Sequence, residues 1–440
     1  MHVLFVFFIV FQLVYSILPL IKERPNRAAV NINSEDEKGL TILVPAYNEE
    51  LVIEKCLTSL VNINYTHHEI IIINDGSTDQ TLRVLMKLLR LEQDNRKGVR
   101  KLKYGKVNSF YHSTVYSNVY VIDKDNGGKA DSLNAGIDFS TNDIVITLDA
   151  DSLLEKDSLK YISHAFDSSK VIAAGGMVHI AQGFANDNGT LKPSLKNTNA
   201  LIKHQMIQYL TGFCLNKYTH SCLNAITVIA GAFGAFKKDV LLNVGGFRRT
   251  VGEDMDITLK FQKYIKQNKK SERMLYIPEA ICYTQCPADF KNLIIQRFRW
   301  QRAFIDCVIY YWDDLFKNFS FITSVYFLFD SFILGTLVSF STILIPLLIL
   351  ISPTLGLWSL SALMLTSFCT AFMQLAVVLF VLHRYDYIFS LKDYIKFIGF
   401  VLYECFTYRF LAIIYVFLGT ISYFIDTHSW KKIERVQLNL

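Results

Sequence analysis

Between Leu40 and Ile180, five short apolar runs, LTILVP (40–45), EIIIIN (69–74), NVYVID (118–123), DIVITLD (143–149) and VIAAGG (171–176), are separated by amphipathic stretches such as 49–61 and 78–90. A strand that is apolar at consecutive positions, rather than alternate ones, has to be covered on both faces. Helical segments between such strands supply the cover, so the pattern predicts βαβ units, a mainly parallel sheet and an α/β fold class. Ligands of such sheets sit beyond the carboxyl ends of the strands, which makes the residues just after each run the ones to read for chemistry.

The rest of the chain is organised differently. Of the 440 residues 51% are hydrophobic and 14% aromatic, which at this length predicts a soluble domain combined with membrane helices. Residues 3–20 are apolar over about one span and are followed by Lys22, Glu23, Arg24 and Arg27. A signal peptide would need a basic leading region and a small-residue cleavage site, so 1–21 is read as an uncleaved anchor, with the chain beyond it in the cytoplasm. Residues 38–288 are expected to form the catalytic α/β domain, with the polar stretch 184–200 as a surface excursion, and 289–318 a region of interfacial helices. From 319 to 424 a transmembrane helical bundle is expected: stretches at about 321–351 and 354–382, joined at Ser352-Pro353, are long enough to span, and His383-Arg384 marks a return to the cytoplasm. The last stretch, 394–424, would measure roughly 48 Å as one helix against a hydrocarbon core of about 30 Å, so it is one tilted helix or two short ones breaking near Glu404–Arg409. Basic Lys431, Lys432 and Arg435 place the tail, 425–440, in the cytoplasm and favour the break. A multi-pass protein of the cytoplasmic membrane is therefore expected. A net charge of +6 without a long Lys/Arg block argues against nucleic acid, and eight cysteines without a C-x-x-C pair suggest neither a disulfide framework nor a zinc site.

Asp75 closes the second run in N-D-G-S-T-D, Asp149 and Asp151 close the fourth as D-A-D, and Glu253 and Asp254 lie in G-E-D-M-D behind a glycine-rich turn. A D-x-D turn can direct two carboxylates at one hard divalent cation that also bridges phosphate oxygens. Turns are rich in Asp for other reasons, so this motif gains meaning from the strand end it occupies. Asp254 fits a general base for an alcohol acceptor, with a helix cap for DITLKFQKYIK as the alternative. Gln296, Arg297, Phe298, Arg299 and Trp300 fall on a helix expected from about 289 to 305, whose Phe290, Leu293, Ile294, Phe298 and Ile305 form a stripe expected in the membrane interface. Gln296, Arg299 and Trp300 share the other face, where a guanidinium can hold a diphosphate and an indole can stack on a sugar; an interfacial helix with snorkelling arginines is the alternative.

In this order, VPAYNEE (44–50), NDGSTD (74–79), NGGKADSLNAG (126–136), DAD (149–151), GAFGAF (231–236), GED (252–254) and QRFRW (296–300) resemble the processive family 2 glycosyltransferases, the group of poly-N-acetylglucosamine, cellulose, hyaluronan and chitin synthases. The resemblance covers about residues 38–305 and extends loosely to Trp430-Lys431-Lys432. It implies a GT-A fold and a UDP-sugar donor, with Pro45, Tyr47 and Glu49 at the nucleotide-binding strand end and Asp75 at the uracil side of UDP. Asp149 and Asp151 would place the diphosphate with Mg2+ or Mn2+, Lys129 would assist at phosphate, and Asp254 would be the base. Gln296, Arg299 and Trp300, with Arg297 in the same motif, would close over diphosphate and acceptor. Two departures stand out: G-E-D replaces the T-E-D of many relatives, and one span rather than two precedes the domain.

The implied reaction is a single in-line displacement giving a β-linked product, exported through the bundle. The short format and the tail W-K-K-x-E-R favour a 1,6-linked poly-N-acetylglucosamine of biofilm matrix over cellulose. A saccharide or lipid acceptor and membrane lipids are the expected partners, with a small membrane subunit left open. A non-processive transferase making a glycolipid is the nearest rival. A dinucleotide-binding protein would need G-x-G-x-x-G after the first strand, and a transporter would leave Asp149, Asp151 and Asp254 without a task.

Overall fold

The computed structural model describes residues 6–7, 10–17, 37–187, 190–194, 198–268, 271–384, 391–404 and 407–425. The basic flank Lys22–Arg27 and the tail with Lys431, Lys432 and Arg435, which carry the expected orientation, lie outside the described residues, as do the side chains of His383 and Arg384.

The strands are β1 (Leu40–Ala46), β2 (His68–Asp75), β3 (Leu91–Gln93), β4 (Val107–Ser113), β5 (Val119–Lys124), β6 (Ile144–Leu148), β7 (Leu153–Leu154), β8 (Val171–Ile180), the hairpin β9 (Phe184–Asp187) and β10 (Thr190–Pro193), β11 (Phe233–Lys237) and β12 (Arg273–Thr284). All but the hairpin form one ten-stranded sheet in the order β3-β4-β5-β2-β1-β6-β11-β8-β12-β7. Leu40, Ile42, Val44, Ile70 and Ile72 belong to the core on one face, Leu43, Ile71, Ile73 and Val145 to the core on the other, which is why the runs are apolar throughout. Burying each such side chain contributes about 1.5–3 kcal/mol. The covering helices are α1 (Ile53–Val61), α2 (Thr81–Leu89), α3 (Lys129–Phe139), α4 (Ser158–Ala165), α5 (Ala200–Thr211), α6 (Tyr218–Cys222), α7 (Lys238–Asn243) and α8 (Glu253–Gln267), with a π-helical turn, Gly212–Lys217, between α5 and α6.

The sheet is mixed. β1 pairs in parallel with β2 and β6, and β2 with β5, but β11 runs antiparallel between β6 and β8. Sequence alone gives no sign of a strand in G-A-F-G-A-F: alternating small residues carry no apolar run, and here they let the chain lie close to β8, with Gly234 opposite Gly175. In register, Leu40 stands opposite His68 and Ile144, so β1, β2, β5 and β6 end on one edge. Residues 47–50, 75–79, 125–129 and 149–151 therefore gather there.

Beyond the sheet lie α9 (Phe290–Tyr310), α10 (Phe321–Val325), a π-helical stretch Tyr326–Leu337, α11 (Val338–Ile343), α12 (Ile345–Ile351), α13 (Pro353–Arg384), α14 (Leu391–Glu404) and α15 (Tyr408–Ile425). By length and composition Phe321–Ile343 (23 residues) and Pro353–Phe380 (28 residues) can cross a membrane. The apolar stretch expected as one span over 321–351 is interrupted at Leu344, next to Pro346, whose ring cannot occupy a helix interior without breaking a hydrogen bond. The last stretch is two helices, parting after Glu404.

The stripe on α9 requires a correction. Leu293 is buried against Tyr408 and Tyr415 of α15, and Ile305 packs in a cluster with Leu259 of α8. Gln301 donates to Thr420 Oγ1 (3.0 Å) and Arg302 to Ser422 Oγ (3.0 Å), so α9 is a packed interface between the sheet domain and α15, with only Phe290 of the stripe strongly exposed. A helix reads as interfacial in sequence when its apolar face has no visible partner; here α15 supplies one.

Candidate active site

The turns after β1 and β2 are stitched together. Asn48, in the left-handed region (φ 56°), accepts from Thr78 N (2.7 Å) through Oδ1 and donates its own N–H to Ser77 Oγ (3.0 Å). Glu49 N donates to Thr81 Oγ1 (2.8 Å), and the carboxylate of Asp79 caps the same Thr81. Pro45, Tyr47 and Glu49 are thereby held at the strand edge, with Glu49 buried.

Asp75 is 3% exposed and fully engaged. Oδ1 accepts from Lys124 Nζ (2.7 Å) and Gly127 N (3.0 Å), Oδ2 from Gly128 N (2.7 Å) and Asn126 Nδ2 (3.2 Å). Lys124, itself fully buried, also pairs with Asp131 at 2.6 Å. The resemblance puts Asp75 at the uracil; its carboxylate also shapes the N-G-G loop from inside the protein. Gly128, at φ 88°, makes the turn that starts α3 and delivers Lys129.

Lys129 is the hub. Its Nζ lies 2.6 Å from Asp149 Oδ1 and 3.1 Å from Glu253 Oε1. Burial alone would lower its pKa, but the carboxylates of Asp149 and Glu253 outweigh that and raise it, so the ammonium is firmly charged. Glu253 is pushed up by burial and by the neighbouring charge of Asp254, against the pull of Lys129. Asp254 sits in the first turn of α8, its Oδ2 accepting from Gly231 N (3.2 Å) and its Oδ1 from Met255 N (2.8 Å). A Cβ on Gly231 would lie 2.8 Å from Lys129 Nζ and 3.4 Å from Asp254 Cβ, so the first glycine of G-A-F-G-A-F is what lets these groups meet.

Asp151 is buried beside Thr284 Oγ1 (3.5 Å) at the end of β12. Burial pushes the Cys56 thiol up, and so do the charges of Asp151, Asp149 and Glu49. Among the described residues no three His, Cys, Asp or Glu side chains come together so as to hold a metal ion by themselves. What exists is an oxygen-only, carboxylate-rich donor set already holding one cation, Lys129; it fits a hard divalent ion bound by one or two carboxylates and completed by substrate phosphates.

In Q-R-F-R-W, Gln296 is buried, Trp300 is 39% exposed, and it is Arg297 whose guanidinium lies over the Trp300 ring (4.2 Å). Sequence reasoning also missed Lys217, in the π-helical turn. It donates to Val228 O (2.8 Å), just ahead of Gly231, and burial pushes its pKa down to about 8 against the opposing charge of Asp254. Nothing in the apolar segment around it marks this lysine; only its place in the fold does.

Carboxylates at the carboxyl edge of a mostly parallel sheet, a half-buried lysine among them and an acid at a helix start define a GT-A glycosyltransferase. The chain belongs to the glycosyltransferase like family 2, whose model matches residues 38–303. It is 28% identical over 275 residues to the poly-beta-1,6-N-acetyl-D-glucosamine synthase of Staphylococcus aureus (strain COL), covering 62% of this chain and 56% of the relative, and 28% identical over 314 residues (69% and 66%) to the synthase of the same name from Staphylococcus epidermidis. The chain thus spans a little over half the length of the first of these curated relatives. Among solved structures it resembles the mannosyltransferase PcManGT from Pyrobaculum calidifontis, in complex with GDP-Man and Mn2+, with a TM-score of 0.51 at 15% identity over 97% of this chain and 99% of that one, a likeness of fold.

Proposed function

We propose that this glycosyltransferase is inverting and metal-assisted, moving a sugar from a UDP-α-sugar, UDP-N-acetylglucosamine, onto a growing chain to form a β-linked extracellular polysaccharide. Its segments are the anchor 1–21, the catalytic domain 38–288, the linking helices 289–318, the bundle 319–424 in the cytoplasmic membrane, and a cytoplasmic tail 425–440. The observation that carries the reading is the convergence of Lys129, Asp149, Glu253 and Asp254 on one edge of the sheet.

Asp254 accepts the proton of the attacking hydroxyl. Its two backbone donors hold the carboxylate in one orientation, so that the hydroxyl oxygen bonds to the anomeric carbon as the bond to the diphosphate breaks and UDP leaves. Attack opposite the leaving group turns an α-sugar into a β-linkage. Asp149 and Asp151 would hold Mg2+ or Mn2+, which supplies charge neutralisation at the leaving diphosphate. Lys129 and Arg299 stabilise the same developing charge, while Gln296 and Trp300 position the acceptor. Pro45, Tyr47, Glu49 and Asp75 line the nucleotide side, and Asp75 also braces the N-G-G loop there.

Discrimination of an acetamido group needs buried polar partners, and the sugar assignment rests on the likeness to the staphylococcal synthases. The test is to supply the purified protein with a panel of UDP-sugars and Mn2+, then digest the product with a hydrolase specific for β-1,6-linked N-acetylglucosamine. Extension with UDP-glucose alone, or a product that resists the hydrolase, refutes the sugar; absence of any transfer refutes the reading.

A further inference from the structure

Arg297 of Q-R-F-R-W turns toward the bundle. It hydrogen-bonds the hydroxyl of Tyr408, at the start of α15, which in turn donates to Gln208 Oε1 (3.3 Å) on α5. Its Nε and Nη2 are buried and have no hydrogen-bond partner among the described residues. The same holds for the hydroxyl of Tyr415, two turns further along α15, and for Nδ1 of His204 on α5, whose ring lies 4.7 Å from that of Tyr408. Tyr415 and His204 are 4% and 5% exposed. Glu404, whose charge acts on Tyr408, is engaged by Gln374 Nε2 (3.5 Å).

A guanidinium does not deprotonate, so burying two of its N–H groups without an acceptor costs free energy that the fold must recover elsewhere. Nε and Nη2 share one edge of the fork, the edge that grips two oxygens of a single carboxylate or phosphate side-on. Three helices, α5, α9 and α15, thus bring an anion fork without an acceptor among the described residues, a hydroxyl and an imidazole together where the sheet domain meets the bundle. The centre around Asp149 and Asp254 has its own cation, Lys129. Yet Tyr209, whose ring is 6.3 Å from that of Trp300, feels the charges of Arg297, Asp151 and Arg299, so the fork adjoins the transfer centre rather than lying remote from it.

We propose that the Nε/Nη2 edge of Arg297, walled by Tyr408, Tyr415 and His204, seats the phosphate of a lipid-borne acceptor, so that the saccharide starts from a membrane lipid phosphate beside the donor. The proposal rests on the transfer centre assigned above and identifies the chemistry of its acceptor.

The experiment uses the full chain in neutral detergent and titrates dodecyl phosphate, inorganic phosphate and, separately, UDP with Mn2+. The unaltered protein binds dodecyl phosphate more tightly than inorganic phosphate. Arg297→Gln weakens dodecyl phosphate by about tenfold to a hundredfold, the range for a charge-assisted fork, while UDP affinity stays within about twofold. Tyr415→Phe, which removes one oxygen and leaves the ring, weakens it several-fold and decides the matter if Arg297→Gln fails to fold and loses UDP as well. The proposal is overturned if the unaltered protein does not bind dodecyl phosphate, if inorganic phosphate binds as tightly, if a folded Arg297→Gln weakens UDP as much as the lipid, or if Tyr415→Phe binds dodecyl phosphate like the unaltered protein. An unaltered protein that binds dodecyl phosphate but no UDP would instead sink the transferase reading.

Discussion

Arg248 ties the catalytic helix to the rest of the molecule, and its removal has a calculable cost. Its Nε donates to Asp256 Oδ1 (2.7 Å), two residues beyond the proposed base, and its Nη2 to Asp306 Oδ2 (2.5 Å) on α9, while the guanidinium lies 4.1 Å from the Tyr310 ring centre. Asp256 is fully buried, and Asp306 is held in turn by Thr250 Oγ1 (2.9 Å) and Tyr423 of α15 (3.4 Å). Replacing Arg248 by Met leaves a buried carboxylate short of its main counter-charge, a change that costs about 3–5 kcal/mol in general. Here Lys260 Nζ (3.4 Å) and Tyr311 OH (3.0 Å) still serve Asp256, and the Arg248 side chain is 23% exposed, so the low end, about 3 kcal/mol, applies. For a domain of this size that lowers the unfolding midpoint by about 6–12 °C. Purified protein in detergent is compared at one heating rate, because irreversible unfolding makes the midpoint depend on it. Adding Asp256→Asn to Arg248→Met removes the stranded charge and should restore more than half of the lost midpoint. A midpoint for Arg248→Met within about 2 °C of the unaltered protein, or strictly additive effects of the two substitutions, would show that the pair is not coupled and refute the reasoning.

Exhaustive chelation is expected to abolish transfer and added Mn2+ or Mg2+ to restore it, as radiolabelled donor incorporation will show; undiminished activity without divalent ions rules out the role given to Asp149 and Asp151. Asp254→Asn should reduce transfer by at least about a hundredfold, the scale of a lost general base, while UDP still binds; an equal loss of UDP affinity would assign Asp254 to binding or folding. Lys217, with a folded pKa near 8 below its ordinary 10.5, binds fewer protons folded than unfolded in that interval, so its contribution to stability rises as pH climbs from about 8 to 10.5 and is lost as pH falls through 8. Lys217→Met should flatten that rise in midpoint-against-pH curves, and an unchanged slope would remove Lys217 from the account.

Much of the fold was legible because burial is written locally. Ile70 to Ile73 must be covered on two faces wherever the strand ends up, and the carboxylates of Asp149, Asp151 and Asp254 stand at element ends that periodicity alone locates. Length left 394–424 as one tilted helix or two short ones, and the structure has Leu391–Glu404 and Tyr408–Ile425 as separate helices. The tertiary structure decided what depends on partners distant in sequence. Lys129 meets Glu253 across 124 positions, with Gly231 of G-A-F-G-A-F lying against Lys129 and Asp254, and β11 is a strand only because β6 and β8 leave a slot for it. Asp75 reads as a ligand group and also braces a loop; Arg297 reads only as a companion of Arg299 in Q-R-F-R-W, and the packing of α9 on α15 leaves its Nε and Nη2 buried without an acceptor among the described residues. A sequence specifies which atoms are polar and which are hidden, but which polar atoms remain unmatched emerges only when every neighbour is in place.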